Sequence, residues 1–127
     1  MGANIDAWRI YFIKDVRQAI PRAKDKLIAI VCIPRSGMGF MISTNIDVWI
    51  QIDEERLACQ AKILASEHSG CLTHDSWVNC YNLLEFWDEE LVNERDFISP
   101  NAKKAIQKAA KKSPTIEKRY KKLILNS

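Results

Sequence analysis

Long hydrophobic runs are missing from this sequence. No apolar stretch approaches the roughly 18 residues of a membrane-spanning helix, which excludes an integral α-helical membrane protein. Glycine and proline are scarce, four of each in 127 residues, too few for a collagen-like repeat or a Pro/Gly-rich disordered chain. The four cysteines, Cys32, Cys59, Cys71 and Cys80, include no CxxC pair and suggest no disulfide framework. The segment Met1 to Asp6 lacks the basic stretch and apolar core of a secretory signal, so reduced thiols and a cytoplasmic location are expected. Histidine occurs only as His68 and His74, which confines imidazole chemistry to one short segment. Acid is almost absent from the C-terminal part: residues 101–127 hold nine Lys/Arg against Glu117 alone, a charge of +8.

What remains is ordinary for a globular protein, with 47% hydrophobic and 28% charged residues. A chain of 127 residues buries about two-thirds of its unfolded surface and is expected to form a single domain over 1–127. Residues 1–100 carry −5, so the net +3 divides into an acidic body and a basic C-terminal face. That face suits a polyanion or an acidic protein surface, or is simply a solvated helix face.

Hydrophobic periodicity places the elements. Residues 5–22 fit helical spacing through Ile5, Trp8, Phe12, Val16 and Ala19, but 8–13 is also an aromatic and β-branched run of strand length. A strand at 8–13 followed by a loop containing Pro21 is the preferred reading. The run from Leu27 to Ile33, stopped by Pro34, predicts a buried central strand. Residues 35–39 predict a turn using the φ freedom of Gly37 and Gly39, and Phe40 to Thr44 the returning strand. Val48 to Ile52 is another short apolar run. Leu57 to Leu64 predicts a strand, 66–74 a polar loop, 76–81 and 83–86 extended segments, and 88–92 a helical turn. Ser99 as N-cap and Pro100 in the first turn open a helix whose stripe is Ala102, Ala105, Ile106, Ala109 and Ala110. Ser113-Pro114 breaks it, and 115–125 predicts a second helix. The fold class is mainly β with C-terminal helices (α+β): strands over 8–98, basic helices over 99–127.

Two histidines near Cys71 and Cys80 raise the question of zinc. Cys71-x-x-His74 has ligand-like spacing, but a structural zinc site draws on two tight pairs and only one is present, so no metal is expected. His74-Asp75-Ser76 is no triad, because adjacent residues in extended chain point to opposite faces. No GxSxG elbow or Gly-rich phosphate loop occurs. Cleavage of RNA asks for less: a group titrating near neutrality, cations or donors for the phosphorane, and a groove. His68 and His74 supply imidazole, Arg35 a bidentate phosphate contact, and Ser43, Thr44 and Asn45 hydroxyl and amide donors. Trp49 and Trp77 offer stacking surfaces for bases. Taken singly, each has a structural explanation; convergence at one mouth of a β-scaffold is what the chemistry requires.

Three stretches resemble the MazF/PemK-like toxin superfamily, whose small SH3-like barrel of about five to seven short strands is shared with CcdB. Lys26 to Cys32 is similar to the family's central strand, and Phe40 to Asn45 to the strand ending in a Thr/Ser pair at the cleavage site. Leu72 to Cys80, with 83–91 and the helix from Ser99, resembles its later strand, helical turn and terminal helix. The resemblance implies a cofactor-free, metal-independent endoribonuclease acting on single-stranded RNA, a homodimer neutralised by an antitoxin protein. Ser43 and Thr44 map onto the functional pair, and Asp75-Ser76 onto a fold-fixing position. Asp25-Lys26 stands where the family has Arg-Pro, leaving Lys26 or Arg35 as the cation, or an inactive site. The expected catalytic residues are Arg35, Ser43, Thr44 and His74, and the expected nucleic-acid contacts Lys26, Asn45, Trp49 and His68. The alternative is a catalytically inert barrel that binds a protein or nucleic acid, as an inhibitor or a phage-defence accessory protein.

Overall fold

The computed structural model describes residues 5–19 and 22–127; the loop expected at Pro21 lies outside the described residues. Seven strands are joined in one antiparallel sheet: β1 (Arg9–Val16), β2 (Lys24–Cys32), β3 (Gly37–Ser43), β4 (Gln60–Ile63), β5 (Ser76–Asn79), β6 (Leu84–Phe86) and β7 (Glu94–Phe97). The order along the sheet is β4-β5-β3-β2-β1-β7. β5 and β6 both pair with β3, β5 on Ile42 and Ser43 and β6 on Gly37 to Gly39. Two strands following each other along one edge bend the sheet into a half-barrel, as expected of the fold class.

Burial explains why the ambiguous N-terminal segment is a strand. Ile10 enters the core between the sheet and the C-terminal helices, while Tyr11 and Ile13 enter a second core with Ile28, Ile30, Phe86 and Leu91. β1 and β2 are thus covered on both faces, which gives β2 its continuous apolar run. Near its end β1 carries an irregularity in its pairing with β2, and Asp15 there takes φ 51°. The Asp15 N–H donates to the Asp25 carboxylate at 3.0 Å, tying this bend to the start of β2 beside Lys24 and Lys26.

The glycines correct the expected turn. β3 starts at Gly37, so the turn is shorter than 35–39, and neither glycine has positive φ. They are needed for close approach instead. A Cβ on Gly39 would overlap the Ala29 carbonyl of β2, and one on Gly37 would meet the Leu91 side chain. The apolar run at 48–52 is a one-turn helix, α1 (Val48–Gln51), followed by α2 (Glu54–Leu57), so the strand expected from Leu57 begins only at Gln60. Asp53 caps α2 by accepting from the Arg56 N–H. β7 had no alternating pattern to announce it; it is a polar edge strand on β1.

The first C-terminal helix, α3 (Pro100–Lys111), is capped as expected, with Ser99 Oγ accepting from the Ala102 N–H at 3.1 Å. Ala102, Ile106, Ala109 and Ala110 are buried against the sheet; fully burying Ile106 is worth about 1.5–3 kcal/mol. Ser113 ends the helix by donating to the Tyr81 carbonyl at 2.6 Å, and α4 (Lys118–Leu125) follows, anchored by Ile116 and Ile124.

Candidate functional site

The period-2 alternation of β3 decides what each face does. Phe40 and Ile42 point into the core beneath α3, so Met41 and Ser43 stand on the opposite face. Trp77 and Asn79 of β5, and Lys24 and Lys26 of β2, reach the same side and line one groove with Met41 and Ser43. Trp49 and Ile50 of α1, Asn45 and Asp47 close it at one end. The groove therefore presents two indoles, two ammonium groups and several amides.

A second cavity, about 230 Å³, opens on the other side of Lys26 and Ser43. Asp25, Lys26, Ser43 and Thr44 line it together with Cys71, Thr73 and His74 from the loop before β5 and Ser76 at its start. Lys26 and Ser43 form the partition between the two spaces, and the Lys26 Nζ donates to the Ser43 Oγ at 2.5 Å. With its oxygen already accepting, the Ser43 hydroxyl keeps its own proton free for a ligand. Burial, and next the repulsion of Lys24, lower the Lys26 pKa from the ordinary lysine value, against an opposing pull from Asp47. The loop is held in place from below: Asp75 accepts from the Ala65 N–H at 2.9 Å, and Ser76 donates to the His74 carbonyl at 2.9 Å. His74 itself is exposed at the rim.

Lys26, Ser43, Thr44 and His74 thus share one cavity, and Asn45 and Trp49 flank the adjoining groove. Two expected residues do not join them. Arg35 lies beyond the far end of β3, roughly 20 Å along the strand from Ser43, and lines a different cavity with Met38 and Arg119. The hairpin carries its tip away from its open end, so a tip residue and the residue ending β3 cannot meet. His68 is fully buried: its Nδ1–H donates to the Leu64 carbonyl at 2.8 Å and its Nε2 accepts from the Ser99 N–H at 3.0 Å. It fastens the loop to the start of α3 and is closed to a nucleic acid.

Lys24, Gln60, Trp77 and Asn79 extend the site beyond the expected set, although Trp77 was identified as a stacking surface. The signal for Lys24 and Asn79 was periodicity: Lys24 is two residues from Lys26, and Asn79 two from Trp77, so each shares its neighbour's face, whereas Gln60 arrives only through the pairing of β4 with β5. Among the described residues, no group of three or more His, Cys, Asp or Glu is placed to hold a metal ion. Burial raises the thiol pKa values, that of Cys32 to about 11, which makes the thiols weak ligands and nucleophiles.

No family model matches the sequence, and no curated protein matches it significantly. Among solved structures the chain is similar to the Mycobacterium tuberculosis toxin MazF-mt6, with a TM-score of 0.56 and 16% identity. The likeness covers 80% of this chain and 91% of that one. At such identity it speaks for architecture, and the chain has a MazF-like fold: a half-barrel of antiparallel strands backed by C-terminal helices.

Proposed function

We propose that the protein is a toxin-type endoribonuclease that cuts single-stranded RNA without a metal ion, works as a homodimer and is held in check by an antitoxin. The observation that carries this reading is the meeting of Lys26, Ser43, Thr44 and His74 around one cavity, beside a groove with two tryptophans. The strand lies along the groove with bases stacked on Trp49 and Trp77, and the scissile phosphate sits over the Lys26–Ser43 partition. His74 takes the proton of the ribose 2′-hydroxyl, whose oxygen attacks the adjacent phosphorus. The 5′-oxygen leaves and takes a proton from solvent, giving a 2′,3′-cyclic phosphate and a free 5′-hydroxyl. The Lys26 ammonium offsets the charge that develops on the non-bridging oxygens, and the Ser43 and Thr44 hydroxyls donate to them.

Val48 and Ile52, both strongly exposed beside Trp49, give a partner chain an apolar foothold at the groove's end. Purified protein incubated with a long RNA in EDTA is expected to yield fragments ending in cyclic phosphate. Intact RNA beside an active control nuclease would rule out the enzyme and favour the inert, partner-binding barrel. Growth arrest that survives the paired change Thr44→Ala and His74→Ala would point the same way.

A further inference from the structure

Arg35, displaced from the groove, faces the C-terminal helices. A cavity of about 340 Å³ at the hairpin tip is lined by Arg35, Glu85, Arg119, Tyr120 and Leu123. Arg119 also borders a shallow hollow of about 570 Å³ on α4, with Lys118, Lys121 and Lys122. The Arg119 guanidinium is held in place, 4.5 Å over the Tyr120 ring and 3.0 Å from Glu117. Lys121 is spent internally, its Nζ donating to the Lys111 and Ser113 carbonyls and so joining the end of α3 to α4. Two acids border this surface: Glu85, which accepts from the Ser36 hydroxyl and keeps its charge, and Glu117, which pairs with Arg119, so Arg35, Lys118 and Lys122 carry the excess of positive charge.

The pattern on α3 adds to this. Lys104, Lys108, Lys111 and Lys112 follow one another at positions i, i+4, i+7 and i+8, all exposed and with no acid among them. Like charges at that spacing destabilise a helix, and a face serving solubility alone would interleave glutamates. The stripe of cations meets α4 where Lys121 bonds the Lys111 carbonyl, and offers a polyanion an uninterrupted row of positive charge. Lysine is depleted in protein–protein interfaces, whereas it binds phosphate well as a point charge.

We propose that the surface from Arg35 through Arg119, Lys118 and Lys122 to the lysine stripe of α3 is a second nucleic-acid site, one that grips the phosphate backbone without reading sequence. It needs neither the groove nor cleavage, because it lies on the α3–α4 side of the sheet. Binding of a labelled RNA duplex to the full-length protein, followed by fluorescence anisotropy over a range of salt, tests it. The wild-type affinity is expected to fall steeply with salt, with a logarithmic slope of about −0.9 per phosphate contacted. Reversing three charges together (Arg35→Glu, Arg119→Glu, Lys122→Glu) is expected to cost at least about tenfold in affinity and to flatten the slope by about 1 per charge removed. The same positions changed to Gln give a milder variant should the reversal fail to fold, with the same direction of effect. Lys14→Glu, an exposed lysine of β1 in neither surface, is expected to leave duplex binding unchanged. Equal affinity of the triple variant and wild type would overturn the proposal, as would an equal loss of binding in Lys14→Glu alone. Binding of poly-glutamate but not of duplex would overturn it in favour of an acidic protein. Loss of RNA cleavage bears on the groove and leaves this result untouched.

Discussion

Lys26 and Ser43 meet across the open end of the β2–β3 ladder, the ammonium donating to the hydroxyl oxygen at 2.5 Å. The pair divides the tryptophan groove from the cavity holding Thr44 and His74, so a phosphate resting on it would touch both spaces. A cation from the same strand as Lys24, and half withdrawn from water, is one that loses its proton more readily than a surface lysine.

That state gives a pH signature. In the proposed reaction Lys26 is charged when it offsets the phosphorane, and its pKa lies below the ordinary lysine value because of burial first and Lys24 second. The cleavage rate is therefore expected to fall on the alkaline side at a pH below that of a free lysine. Lys26→Arg stays charged throughout and should move this limb upward. Rate–pH profiles of the two proteins check it; superimposable alkaline limbs would assign the limb to another group.

His68→Ala removes a buried ring and leaves the Ser99 N–H without its acceptor. The expected cost is about 2–4 kcal/mol, the sum of a cavity and an orphaned donor. Urea denaturation measures it. RNA affinity per folded molecule should stay at the wild-type level, since His68 reaches no solvent.

Glu67 accepts from the Ser99 hydroxyl at 2.6 Å and from the Asn101 amide at 2.9 Å, and these bonds hold its carboxyl below the usual range. A depressed carboxylate contributes stability that is complete above its unfolded pKa and disappears as the pH falls through its folded one. Denaturation midpoints of wild type and Glu67→Gln should converge as the solution is acidified through that window. A constant gap between them would show that the carboxylate's charge is not what matters.

Gly39→Ala places a methyl group against the Ala29 carbonyl of the neighbouring strand. Backbone cannot yield there as a flexible side chain would, so the expected loss is about 3 kcal/mol, at the upper end for overpacking. A melting temperature within a degree or so of wild type would contradict the packing described.

Much of the fold could be read from the chain. β2 declared itself by an apolar run covered on both faces, and α3 by Ser99, Pro100 and an alanine-rich stripe. β7 could not be read, because an edge strand of Glu94, Arg95, Asp96 and Phe97 buries too little to leave a pattern. The Gly37–Gly39 segment misled for a different reason. Glycine permits both a turn and a close strand approach, and only the partner strands, β2 and β6, decide between them. The layout of the candidate site was legible where neighbours in sequence stay neighbours in space, as with Ser43, Thr44 and Asn45. It failed where topology intervened: Arg35 is carried off by the hairpin tip, and His68 turns inward because the Ser99 N–H needs an acceptor.

The central claim is that the Lys26–Ser43 partition holds the phosphate during metal-independent strand cleavage. The most direct test compares wild type with Lys26→Met on one end-labelled single-stranded RNA in EDTA, after circular dichroism shows both folded. Loss of the ammonium should slow cleavage by about 10²–10³, as for removal of a main transition-state donor, with wild-type product ends remaining 2′,3′-cyclic phosphate. Equal rates for the two proteins would contradict it, and so would cleavage by neither.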